Sequence, residues 1–266
     1  MKRLLFVFAA FVAAGLAAAV APAIPASVQK LEIIYDNTVA DPAFGPDWGF
    51  AVLVTGFEKT ILFDTGTKAD LFLANAGRLK VDFGAVDVVV ISHDHGDHTG
   101  GLAAALPKMK NPLLLLPLPA AAIRSTSLPP GQKLECREKG SAICDGAWLT
   151  GIIGKDIREQ GLILDTGRGS VLITGCAHPG IVEMVQQANL TRGRPMDVVL
   201  GGFHLMNHTA AQVEAIISRF RELGVKKVGA THCTGEASIA LFRKAFGRDF
   251  VELGAGRTIV LGDLIP

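Results

Sequence analysis

His93-Asp94-His95-Gly96-Asp97-His98 packs three of the chain's seven histidines, two aspartates and a glycine into six residues. It follows directly on Val86 to Ile91, a short apolar run that reads as a strand covered on both faces. In an extended strand His93 and His95 share a face, but Asp97 and His98 cannot both join them. The segment must therefore turn, and Gly96 permits it. Imidazoles interleaved with carboxylates favour zinc or a similar ion, whereas a solvated turn whose histidines merely cap neighbouring elements would not need that density.

Three further histidines also follow apolar runs and sit beside glycines. His178 ends Val171 to Thr174 in Gly175-Cys176-Ala177-His178, and His204 ends Val198 to Leu200 in Gly201-Gly202-Phe203-His204. His232 ends Lys227 to Ala230 in Thr231-His232-Cys233-Thr234-Gly235. Strand ends gathered along one rim are where α/β sheets assemble sites.

Upstream, strands are expected at Leu31 to Tyr35, Phe50 to Thr55 and Thr60 to Asp64, the last two as a hairpin, followed by a helix from Lys68 to Leu79. Leu113 to Leu116 reads as another buried strand. From Pro117 to Gln160 the chain turns irregular, an expected substrate-facing insert at about 117–160 in which Arg124 and Lys133 face either solvent or an anionic substrate. The second half alternates strands at Leu162 to Asp165, Val171 to Thr174, Val198 to Leu200, Lys227 to Ala230 and Thr258 to Leu261 with helices at Ile181 to Ala188, Ala210 to Leu223 and Glu236 to Phe246. Asp64-Thr65-Gly66 and Asp165-Thr166-Gly167, each closing a hairpin, suggest an internal duplication. The expected architecture is a pair of sheets faced by helices, in one domain spanning 27–266.

The chain has 266 residues, 49% of them hydrophobic, enough for one large α/β domain. With 26 Lys plus Arg against 25 Asp plus Glu, the formal charge of +1 gives no electrostatic reason to expect a nucleic-acid partner; a small-molecule substrate is the expectation. Lys2 and Arg3 precede an uncharged apolar run from Leu4 to Val20 and a small-residue site, Ala21-Pro22-Ala23. That order is the order of a secretory signal peptide, with 1–23 removed and no stable membrane insertion afterwards. The alternative is an uncleaved anchor, although the run falls short of the roughly 20 residues that a spanning helix needs. A periplasmic or secreted location would be oxidising, so Cys136 and Cys144 are candidates to pair, while Cys176 and Cys233, each within two residues of a histidine, suggest the edge of a metal site.

His-x-His-x-Asp-His after a strand, an upstream Asp at a hairpin end and later single histidines at strand ends resemble the metallo-β-lactamase superfamily. Gly-Cys-Ala-His, Gly-Gly-Phe-His-Leu and Thr-His-Cys-Thr-Gly resemble the branch of 7,8-dihydropterin-6-methyl-4-(β-D-ribofuranosyl)aminobenzene 5'-phosphate synthase and related bacterial metallohydrolases. The resemblance implies an αββα sandwich of two mixed β-sheets flanked by helices, with two divalent ions, zinc first and iron or manganese as alternatives. It also implies that His93, His95 and His178 bind one ion, that Asp97, His98 and His232 bind the other, and that Asp64 orients ligands from behind. The superfamily's bridging aspartate is replaced here by Gly201-Gly202-Phe203-His204, so His204 is a candidate ligand or substrate contact. Cys176 is a candidate ligand or a small buried residue, and His208 a helix-cap neighbour or substrate contact.

Two such ions roughly 3.5 to 4 Å apart can activate a water at neutral pH. The expected function is thus an exported hydrolase using a metal-activated hydroxide on an ester, lactone, amide or phosphoester, with Asp97 or a metal-bound water shuttling the proton. The alternatives are a pterin-condensing transferase and a non-catalytic metal-binding module.

Overall fold

Short apolar runs, buried along most of their length, dominate the chain, and in the computed structural model they form two sheets packed face to face. The structure describes residues 28–117 and 128–265; the expected signal segment and Arg124 lie outside them. The first sheet has seven strands in the order β13-β1-β2-β3-β4-β5-β6: β1 Lys30–Tyr35, β2 Ala51–Thr55, β3 Ile61–Phe63, β4 Val88–Val90, β5 Leu113–Leu115, β6 Leu134–Glu135 and β13 Thr258–Val260. The second has six in the order β12-β11-β10-β9-β8-β7: β7 Lys139–Cys144, β8 Ala147–Gly151, β9 Leu162–Asp165, β10 Ser170–Thr174, β11 Val198–Gly202 and β12 Lys227–Thr231.

Each sheet combines an antiparallel part with a parallel run. β3, β4 and β5 are parallel in the first sheet, and β10, β11 and β12 in the second. Alternate side chains of one strand feed different layers: Val88 and Val90 enter the core between the sheets, while Val89 packs outward against helices α1 (Ala69–Arg78) and α3 (Leu102–Ala105). On the far side, Leu172 and Val199 pack against α4 (Ile181–Arg192), α5 (Ala210–Glu222) and α6 (Glu236–Phe246). The layers are therefore αββα, as expected. Helix α5 starts where Thr209 and Gln212 close a capping box, and α4 ends at Gly193 in the left-handed conformation.

Three expectations need correction. The segment expected to be an irregular insert contributes strands to both sheets in its described part: β6 closes the edge of the first, and β7 and β8 pair antiparallel and extend the second to its edge. The expected strand signal there is weak because β7 is an edge strand with no fully buried residue. The second Asp-Thr-Gly is not the counterpart of the first. Asp64 closes β3 at the rim to which the parallel strands point, whereas Asp165 closes β9, which runs antiparallel to β10 and so ends at the opposite rim. There it sits with three hairpin turns, around Gly56, Gly146 and Gly167, about a cavity of about 510 Å3. All four cysteines are free thiols, so Cys136 and Cys144 are not paired. No helix among the described residues is long and apolar enough to cross a membrane.

Candidate metal centre

The ends of β3, β4, β10, β11 and β12 meet at one rim, and every histidine singled out above lies there. After β4 the chain passes through His93 and His95 and then makes one helical turn, α2 (Gly96–Thr99), which carries Asp97 and His98. Four residues other than glycine at this rim take a positive φ: Asp64 (57°), Ala177 (62°), His204 (52°) and His232 (50°). Such a conformation costs of order 1–3 kcal/mol per residue and persists only where surrounding structure enforces it.

Ligating atoms of Asp97, His98, Cys176 and His232 all lie within 4.8 Å of one another, and so do those of His93, Cys176 and His178. His95 adjoins the second group, with its Nδ1 3.1 Å from His93 Nε2 and its ring 4.8 Å from that of His178. His204 belongs to neither group: it is exposed, and its ring lies 4.2 Å from the His178 ring. His208 is also exposed and lines, with His178, His204, Phe203 and Leu205, a cavity of about 330 Å3 beside the cluster. A second cavity of about 300 Å3 opens beside His95, with Lys155, Asp156 and Arg158 on its walls. Lys133 is exposed on the segment before β6.

Three imidazoles have their Nδ1 held by the protein, which leaves Nε2 turned to the cluster. His98 Nδ1 lies 2.7 Å from Asp64 Oδ2, His93 Nδ1 2.9 Å from Ser92 Oγ, and His232 Nδ1 2.9 Å from the Asn37 amide oxygen. Ser92 in turn donates its hydroxyl and its backbone N–H to Asp64. Fixing one ring nitrogen in this way sets the tautomer and aims the other.

The surroundings fit a cation. His178 Nε2 is buried with no hydrogen-bond partner, a costly state for an imidazole unless another electrophile takes its lone pair. Burial alone would lower the pKa of His98, but the carboxylates of Asp64 and Asp97 push it up to about 10, so the site draws positive charge inward. Burial alone would raise Asp97, yet His232 and His98 hold it far below the usual carboxylate range. His178 is lowered to about 4 by burial and by neighbouring His204 and His95. Burial likewise lowers His232 to about 4, in spite of Asp97. A rim of mainly neutral imidazoles around an ionised carboxylate is a donor set suited to zinc-like divalent ions.

Sequence reasoning missed several residues that build this site. Glu159 is fully buried and accepts the backbone N–H groups of Cys176 (2.9 Å), Ala177 (2.7 Å) and His178 (2.8 Å). Next to it, Gln160 donates to the carbonyls of Ile91 and Leu115 and so ties this loop to the ends of β4 and β5. Trp48 donates its indole N–H to Asp97 Oδ2 at 2.8 Å and lays its ring 4.9 Å from that of His232. Thr231 donates to buried Asp36, whose carboxyl burial pushes up to about 7. An exposed tryptophan in a loop flanked by Pro46, Asp47 and Gly49 was the one available signal.

Known proteins share this fold. Residues 45–124 match the family model of the metallo-beta-lactamase superfamily. Tm1679, a metal-dependent hydrolase of the beta-lactamase superfamily, superposes with a TM-score of 0.72 at 27% identity, over 87% of this chain and 98% of that one. The protein has the metallo-β-lactamase fold. This metallo-β-lactamase-fold chain is 28% identical to the 7,8-dihydropterin-6-methyl-4-(beta-D-ribofuranosyl)-aminobenzene-5'-phosphate synthase of Methanocaldococcus jannaschii, over 88% of this chain and 98% of the synthase. Zinc-bound PqqB from Methylobacterium extorquens shares the fold at 12% identity, with a TM-score of 0.56 over 86% of this chain and 99% of that one.

Proposed function

We propose that the protein is an exported metal-dependent hydrolase of an ester, lactone, amide or phosphoester. The observation that carries this reading is the convergence of five imidazoles and one carboxylate at a single rim, with His98, His93 and His232 each anchored through Nδ1. Divalent ions, zinc first and iron or manganese as alternatives, would supply Lewis acidity and lower the pKa of water at such a site. His93, His95 and His178 would hold one ion, and Asp97, His98 and His232 the other.

The remaining work falls to the chain's own groups. Asp64 fixes the orientation of His98, Asn37 that of His232 and Ser92 that of His93. Asp97, steadied by the Trp48 indole, is the proposed proton carrier. His204 and His208 stand exposed at the mouth and are the proposed substrate contacts. Residues 1–23 act as a signal peptide, with Lys2 and Arg3 ahead of an apolar run and a small-residue site, and direct the remaining chain, working as one domain, to the periplasm or outside.

Purified, metal-replete protein should turn over at least one substrate class in a panel of esters, lactones, amides and phosphoesters. A confirmed metal site with no turnover across that panel sinks the reading.

A second reading, condensation of a dihydropterin with a ribofuranosylaminobenzene phosphate, is favoured by the 28% identity to the archaeal synthase over 98% of that protein. Incubating both purified precursors with the loaded protein tests it: product supports the transferase, and its absence disposes of it.

A further inference from the structure

Cys176 occupies a singular position in the cluster. Its Sγ lies 3.3 Å from His98 Nε2 and 3.4 Å from His232 Nε2. It is also the one residue common to the two groups of ligating atoms, Asp97-His98-Cys176-His232 and His93-Cys176-His178. We propose that the Cys176 thiolate is a ligand shared by both ions and bridges the two halves of the centre.

The neighbouring strand end cannot supply a bridge. A Cβ at Gly202 would stand 2.8 Å from Cys233 Sγ and 2.3 Å from the Gly175 carbonyl, and one at Gly201 2.1 Å from the Thr174 carbonyl. Gly201 and Gly202 therefore admit no side chain, and the space is taken by the Thr174 and Gly175 carbonyls and Cys233 Sγ. The thiol's place is built rather than incidental. Glu159 clamps the Cys176 and Ala177 N–H groups on one oxygen, and the left-handed turn at Ala177 then presents His178 to the group that Cys176 shares with His93.

The chemistry is consistent with that place. A cysteine binds metal as its thiolate, after giving up the S–H proton. Loading exchanges that proton, released to solvent, for sulfur–metal bonds, which is the usual price of thiolate ligation. Sulfur selects zinc, cobalt or iron over magnesium or calcium, and so narrows the ions this centre takes. The inference rests on the metal-site reading above but not on the identity of the reaction.

The test uses the full chain, stripped of metal and reloaded with cobalt(II), as wild type, Cys176→Ser, Cys176→Ala and Cys233→Ser. The wild type should show a sulfur-to-cobalt charge-transfer band in the near ultraviolet that is lost in Cys176→Ser and kept in Cys233→Ser. Metal content per chain should fall by about half in Cys176→Ala, because a two-ion site loses its common ligand. X-ray absorption of the zinc-loaded wild type and Cys233→Ser should each show a Zn–S shell near about 2.3 Å, a readout that stands if the Cys176 variants fail to fold. Cobalt uptake without the band, a band that survives in Cys176→Ser or depends on Cys233, or a missing Zn–S shell overturns the bridge while leaving the metal site standing. Failure to take up any cobalt overturns both, and a band without turnover on any substrate sinks only the hydrolase.

Discussion

The Nδ1 of His98 and the Oδ2 of Asp64 lie 2.7 Å apart with both side chains wholly shielded from solvent. Asp64 also accepts two hydrogen bonds from Ser92, so it links the ends of β3 and β4 while it aims His98. In Asp64→Asn the amide can offer that ring an N–H where it needs an acceptor. Metal affinity should fall by about 10–100-fold, measured by competition with a chromophoric chelator. Unchanged affinity would show that His98 does not depend on Asp64 for its orientation.

Glu159 should act on the fold as much as on the site. Glu159→Gln keeps the size but sets an amide against the His178 N–H now received by Oε2. A buried donor left unmatched costs about 1–3 kcal/mol. The melting temperature should drop by about 2–4 °C for each kcal/mol in a chain of this size. A calorimetric scan in the presence of chelator isolates this loss from any change in metal binding, and an unshifted transition would count against the clamp.

Trp48 gives the site an optical reporter. The chain has two tryptophans, and Trp148 lies at the opposite rim, its ring 4.0 Å from the Arg192 guanidinium. Metal addition should change the emission of wild type and leave that of Trp48→Phe nearly constant. Losing the N–H to Asp97 should also weaken metal binding by about 10-fold. An equal emission change in both proteins would place the response elsewhere.

Acid should loosen the opposite rim. Partial burial would raise the pKa of Asp165, but the Arg192 hydrogen bond, the Gly167 N–H and Arg194 together hold it below the usual carboxylate value. A carboxylate depressed in the folded state stabilises fully above its unfolded pKa of about 3.9, and that contribution disappears as pH falls through the folded value. Urea midpoints of wild type and Asp165→Asn should therefore differ most above about pH 4 and converge below it. A constant gap at every pH would rule out ionisation as the source.

Chelation should destabilise the loaded protein. A ligand at 100 times its dissociation constant adds about 2.7 kcal/mol to the folded state. The melting temperature of zinc-loaded protein should accordingly fall on adding chelator and recover with excess zinc.

The sequence made the parallel strands and their terminal histidines legible because the signal there is local. Val88 to Val90 and Val198 to Leu200 are continuous apolar runs, and the histidines stand within a few residues of each. What escaped was carried by contacts across the chain. Asn37 reaches His232 over 195 residues and Glu159 reaches His178 from another loop, and neither residue type or spacing marks the partnership. The two Asp-Thr-Gly stretches misled for the same reason: strand direction, which local pattern does not contain, puts Asp64 against His98 and Asp165 against Arg192. The edge strand β7 was hidden by its exposure.

The hairpin turns around Gly56, Gly146 and Gly167 lie at the far end of the sandwich from the histidines. Parallel strands in both sheets send their carboxyl ends toward the histidine cluster, so the candidate site occupies one end of the molecule only. A dye, an affinity handle or a tether to a bead grafted into one of those turns leaves the mouth unobstructed. Immobilised molecules would then all face their cluster to the solution, which makes this chain a practical candidate for an oriented surface assay.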